Sequence, residues 1–183
     1  MLIIGNHIFC ANIGDSRAVL SKNGVAVNLS LDHKASRPDE VERIRANDGN
    51  IEFDRVGGKL AITRAFGDFE FKSIIDDDGQ IVRKNFITPE PEIRRYDLDL
   101  SQDEFIVIGS DGLYDMFTSQ EAVDFIRDKM SKQKYLQHDF ELISRQIAFD
   151  AIYTKGVRDN TTVVMLSLNR GTMTNEDKKL AEI

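Results

Sequence analysis

A chain of 183 residues with 41% hydrophobic and 30% charged positions has the size and balance of one globular domain with a large core. Its 24 Lys and Arg against 31 Asp and Glu leave a formal net charge of −7, which argues against nucleic acid as the main partner. One cysteine cannot close an internal disulfide, as expected of a reducing, intracellular compartment (cytoplasmic or nuclear), and no apolar stretch suggests a membrane span or a signal peptide.

The chain opens on apolar residues, and Met1 to Gly14 reads as a hairpin turning at Gly5-Asn6. There is no polar lead-in, which is expected either of a compact domain with a terminal edge strand or of a domain lacking elements that precede it. Gly14-Asp15-Ser16-Arg17 is a corner, and Lys22-Asn23-Gly24 a tight hairpin turn leading to a strand over 25–29. A helix follows, with Ser36 or Arg37 at its cap, Pro38 in the first turn and an end at Asp48-Gly49. Residues 51–66 read as a further hairpin through Gly57-Gly58, 69–86 as a polar surface excursion, and 87–93 as extended because of Pro89 and Pro91.

Glu104 to Asp115 is the centre of the chain. Phe105-Ile106-Val107-Ile108 reads as a strand buried on both faces, stopped by the turn residues Gly109-Ser110-Asp111-Gly112. Helices are predicted over 120–132, capped at Thr118-Ser119-Gln120-Glu121, and over 138–153, ended by Gly156. A β-branched strand over 161–168 and a polar, frayed or loosely helical tail over 169–183 complete the chain, so residues 1–168 form the domain. Strands followed by helices predict an α+β fold, an antiparallel β-sandwich flanked by helices.

Asp15, Asp111 and Asp159 each stand in a turn beside a buried strand. A carboxylate there can serve as an Asx-turn or as a hard-cation ligand on a rigid support. Carboxylates 4 Å apart repel by about 4 kcal/mol at an effective dielectric near 20, so a divalent cation is the simplest way to hold three together. A pair of such cations would bind phosphate and lower the pKa of a bridging water, with no nucleophilic side chain needed. Other chemistries do not fit. Cys10 and Arg17 miss the spacing of a cysteine phosphatase loop, and Gly57-Gly58-Lys59-Leu60 lacks the rest of a Walker loop. His7, His33 and His138 lack zinc spacing and read as surface or loop residues. Asp76-Asp77-Asp78-Gly79 lacks the bidentate Glu of a calcium loop, Ile87 standing in its place, and reads as a solvated turn.

The segments Ala11-Asn12-Ile13-Gly14-Asp15-Ser16-Arg17-Ala18, Asp32-His33-Lys34, Leu60 to Asp68, Ile106 to Asp115 and Arg158-Asp159-Asn160-Thr161-Thr162 resemble, in order, those of the metal-dependent serine/threonine protein phosphatases of type 2C. The resemblance covers most of residues 1–168. It implies two antiparallel sheets packed face to face with helices outside, and Mg²⁺ or Mn²⁺ at one end. It makes Asp111 and Asp159 ligands of the catalytic metal pair and Asp15 a ligand of a weaker third site, and it puts Arg64 and Asp68 beside the flap that borders the substrate groove. Phosphorylated proteins would be the substrates.

The resemblance also carries a departure. The family's Asp-Gly-His-Gly segment, which supplies a bridging aspartate and the general-acid histidine, does not occur in this sequence, nor do the Glu-Asp pair and phosphate-binding Arg that lie upstream of it. The chain therefore reads as the C-terminal two thirds of a phosphatase domain. Two functions follow: a serine/threonine phosphatase represented by an incomplete catalytic domain, or an inactive phosphatase-like domain that binds phosphoproteins or assembles with another chain. Apolar surface left uncovered predicts self-association through exposed core edges.

Overall fold

In the computed structural model the described residues are 1–75, 78–132 and 139–168. The elements run β1 (Leu2–Ile4), β2 (His7–Asn12), β3 (Arg17–Lys22), β4 (Val25–Asn28), α1 (Pro38–Arg45), β5 (Ile51–Glu52), β6 (Arg55–Val56), β7 (Ser73–Ile75), β8 (Ile81–Arg83), β9 (Glu92–Asp97), β10 (Asp103–Gly109), α2 (Asp111–Tyr114), α3 (Ser119–Lys132), α4 (Phe140–Phe149) and β11 (Val163–Ser167). The polar tail, His138 and the acids Asp76 and Asp77 lie outside the described residues.

Two antiparallel sheets form the body. One has the order β1-β2-β9, the other β11-β10-β3-β4. The turns that join neighbouring strands are the ones the sequence announces. Asn23 and Gly24 both have positive φ, as the two-residue β3–β4 turn requires, and Gly5 takes φ +58 between β1 and β2.

Alternation along the central strands explains the layers. Ile106 of β10 with Ala18 and Leu20 of β3 face Ile8 and Cys10 of β2, filling the space between the sheets. Phe105, Val107 and Val19 point the other way, onto Ala122, Val123 and Ile126 of α3 and Ile143 and Ile147 of α4. The residues Phe105, Ile106 and Val107 are all fully buried, so β10 is covered on both faces as its apolar run predicts. Both long helices thus cover one outer face of the sandwich. α4 continues as a π turn over Asp150–Thr154, and Gly156 at φ +81 turns the chain out of it.

Some elements differ from expectation. β9 extends to Asp97 and pairs with β2 along its full length, whereas the sequence shows only an extended segment to 93. The hairpin expected over 51–66 is confined to β5 and β6, the rest being turns and bridges. The polar excursion holds its own hairpin, β7–β8, preceded by a 3-10 turn at Phe69–Phe71. His7 is a strand residue, and His33, although in a loop, is fully buried rather than on the surface. Its Nδ1 lies 3.1 Å from the Gly14 carbonyl, and burial lowers its pKa, which keeps the imidazole neutral. Among the described residues no helix is long and apolar enough to cross a membrane.

Candidate metal centre

β10 delivers its C-terminal end to a sharp turn. Ser110 is extended and caps α2, and Asp111 is the first helical residue. The Asp111 Oδ1 accepts the Gly112 amide at 2.8 Å, so the turn-stabilising contact considered from sequence is present and occupies one carboxylate oxygen. Asp159 does the same in the loop before β11, where Oδ1 accepts the Asn160 amide at 2.7 Å.

These two turns are bound to each other. The Ser110 amide donates to the Thr162 carbonyl, the Thr162 amide to the Ser110 Oγ, and that hydroxyl to the Asn160 carbonyl, each at 3.1 Å. Gly112 permits the approach: a Cβ there would stand 2.5 Å from the Asn160 carbonyl oxygen. The sheet therefore brings Asp111 and Asp159 to one end of the sandwich.

Asp15 stands at the same end, in the corner between β2 and β3. Gly14 takes φ +98, and its carbonyl accepts the Asn12 side-chain amide at 3.1 Å and the His33 amide at 3.0 Å. Burial raises the Asp15 pKa, the Asp111 charge raises it further, and Lys34 partly offsets them. The two carboxylates thus repel each other, the electrostatic situation a hard cation relieves. Asp115, one helical turn after Asp111, joins the group through Lys34, whose Nζ is 3.2 Å from the Asp115 Oδ1 and 3.9 Å from the Asp15 Oδ2. Neither Asp115 nor Lys34 is singled out by sequence reasoning. The spacing from Asp111 to Asp115 is the signal that could have found the first.

Arg17 ties the supporting loops together. Its fork meets Asp32 at 2.8 and 2.7 Å, another nitrogen donates to the Ser119 Oγ at 3.1 Å, and its plane lies 4.6 Å from the Tyr114 ring centre.

Arg64 is held elsewhere. Its Nε donates to the Glu40 Oε1 at 3.0 Å, a second nitrogen meets the same oxygen, and a third donates to the Glu90 carbonyl at 3.0 Å. Glu40 is only 1% exposed. Burial alone would raise its pKa, but hydrogen bonds from Arg64, Thr63 and Arg43 outweigh that and hold it at about 2. Asp68 has φ 55 and opens the 3-10 turn at Phe69–Phe71, its carbonyl accepting the Phe71 amide at 3.0 Å.

As donors, the carboxylates of Asp111, Asp159 and Asp15 suit a hard divalent cation, and the glycine cradle at Gly112 keeps two of their turns together. Among the described residues no three Asp, Glu, His or Cys side chains converge closely enough to enclose a metal ion. A cation held by these carboxylates would therefore keep much of its own water.

The chain is similar to known proteins over most of its length. A family profile described as Protein phosphatase 2C matches residues 1–161. A probable protein phosphatase 2C of Caenorhabditis elegans is 41% identical over 172 residues, which are 93% of this chain and 47% of that protein. Protein phosphatase 2C homolog 3 of Schizosaccharomyces pombe is 41% identical over 170 residues, 92% of this chain and 40% of its own length. Among solved structures, a phosphatase from Toxoplasma gondii superposes with a TM-score of 0.71 at 30% identity, covering 89% of this chain and 49% of that one. A sex-determining protein of C. elegans gives a TM-score of 0.74 at 26% identity, over 90% and 37%. The chain spans less than half the length of these relatives.

Proposed function

Because the chain belongs to the protein phosphatase 2C family, whose members are metal-dependent serine/threonine phosphatases, we propose that it serves the hydrolysis of phosphoserine and phosphothreonine in proteins. Asp111 and Asp159 would hold a Mg²⁺ or Mn²⁺ at the ends of β10 and β11, with Asp15 at the margin. When bound, the metal pair of the family supplies a water of lowered pKa and positive charge against the phosphate oxygens. This chain's own part is to fix the carboxylates. Ser110 clamps the two aspartate turns together, and the corner at Gly14 holds Asp15 beside them. The observation that supports this reading most is the Gly112 contact with Asn160, which leaves no room for any side chain between the two acidic turns.

No Asp-Gly-His-Gly segment occurs in the sequence. These 183 residues would then offer neither the bridging carboxylate nor the general-acid histidine that the resemblance assigns to that segment. The expected turnover of p-nitrophenyl phosphate and of a phosphothreonine peptide by this chain, in saturating Mn²⁺, is therefore negligible. It should appear when the chain is combined with the unmatched part of the S. pombe relative, and vanish again with Asp111→Ala. Combined protein that stays inactive, yet binds the phosphothreonine peptide in EDTA, would favour the other reading, an inactive phosphoprotein-binding or assembly module.

Arg64 and Asp68 are carried over by resemblance as neighbours of the substrate groove. In this structure the Arg64 guanidinium pairs with a buried carboxylate, so engaging a phosphate would strip Glu40 of one of the two guanidinium groups, those of Arg64 and Arg43, that hold it. We assign Arg64 a supporting role beneath the groove instead of a direct contact with phosphate.

A further inference from the structure

We propose that Lys34 is a tethered counter-cation of the acidic end, occupying the place between Asp15 and Asp115 that a divalent cation would contest. The inference rests on the metal-site reading above and concerns what sets the strength of that site.

The backbone around Lys34 is clamped from both sides. The His33 amide donates to the Gly14 carbonyl at 3.0 Å, the Thr63 amide to the His33 carbonyl at 2.8 Å, and the Ala35 amide to the Ala61 carbonyl at 2.9 Å. Just before it, the Asp32 carboxylate is gripped by the fork of Arg17. Lys34 is therefore anchored by its main chain while its side chain, 39% exposed, reaches out over the corner. Its ammonium touches Asp115 at 3.2 Å and stands 3.9 Å from Asp15, so one flexible stem links the β2–β3 corner to the end of α2. Two other cations of this region are engaged elsewhere: Arg17 with Asp32, and Lys155 with the Met116 carbonyl at 2.8 Å and the face of Phe117.

An ammonium is a compact point charge that neutralises a carboxylate without the coordination geometry a metal demands. A Mg²⁺ or Mn²⁺ approaching Asp15 and Asp115 meets that positive charge and must displace it. Lys34 thus stabilises the metal-free end and weakens divalent binding at its margin. The strength of the effect is that of one partly exposed ion pair, screened by solvent.

Mn²⁺ binding, followed by the electron paramagnetic resonance signal of the free ion, tests this without any assay of turnover. Lys34→Met, which keeps the aliphatic stem, should bind Mn²⁺ about two- to fivefold more tightly than the unaltered chain, the range expected of an exposed pair. It should also melt at a lower temperature in EDTA and gain more from added Mn²⁺. Lys34→Arg, which keeps the charge, should leave the affinity where it was. Unchanged or weaker binding by Lys34→Met, while Asp111→Ala still weakens it, overturns the role of Lys34 alone. Binding that neither Asp111→Ala nor Asp159→Ala alters overturns the metal-site reading and this inference with it.

Discussion

Glu40 takes its environment from partners that its own helix does not announce. An acid in the first turn of α1 favours the helix dipole, and its side chain is buried against Arg43 and Arg64. The partner that decides its environment lies 24 residues away, beyond the reach of any local pattern. Its folded pKa of about 2 lies below the ordinary value of 4.5, so its contribution to stability is fully present above pH 4.5 and is lost as pH falls towards 2. The unfolding free energy of the unaltered chain, read from denaturant melts, should therefore fall as pH drops through that window, by about 3 kcal/mol in total. Glu40→Gln should lower stability at neutral pH and flatten the acid limb. A variant as stable at pH 7 as the parent would show that the pair is not held as described. The turns that carry Asp15, Asp111 and Asp159, by contrast, were legible because each follows or precedes a recognisable strand with turn residues around it. Asp115 and Lys34 were not, because their meaning depends on a contact between two loops.

At the level of elements, the long apolar runs and the turns at Gly5-Asn6 and Asn23-Gly24 were legible, and the weakly patterned strand was not. β9 reads Glu92-Ile93-Arg94-Arg95-Tyr96-Asp97, a charged segment that becomes a strand because β2 supplies its hydrogen bonds. Arg94 donates to the Asn28 carbonyl of β4 at 3.4 Å, one contact between the two sheets. Ile3 of β1, paired with Ile8, is 38% exposed, while Val164 and Leu166 of β11, paired with Ile108 and Ile106, are 55% and 39% exposed. Neither β1 nor β11 carries a charge or a proline to blunt its edge. These edges make self-association the expected behaviour. Light scattering over a dilution series should show mass rising with concentration, and Leu166→Lys should suppress the rise. A monomer at all concentrations would show that the open edge is harmless.

The whole molecule is a sandwich with its acidic turns gathered at one end, and that gathering is the part of the account on which the function depends. The order of the motifs along the chain announced the fold. The mutual clamp of Ser110, Asn160 and Thr162 could not be read from them, because nothing in either segment specifies how closely the other approaches. A domain of net charge −7 that collects several of its carboxylates in one place should bind a divalent cation even when it cannot turn over phosphate. Titration calorimetry with Mn²⁺ on the chain, on Asp111→Ala, on Asp159→Ala and on Asp124→Ala of α3 tests this most directly. The account predicts weak binding, with a dissociation constant on the order of a millimolar given so few charged ligands, lost in the first two variants and retained in the third; equal binding by all four proteins would contradict it.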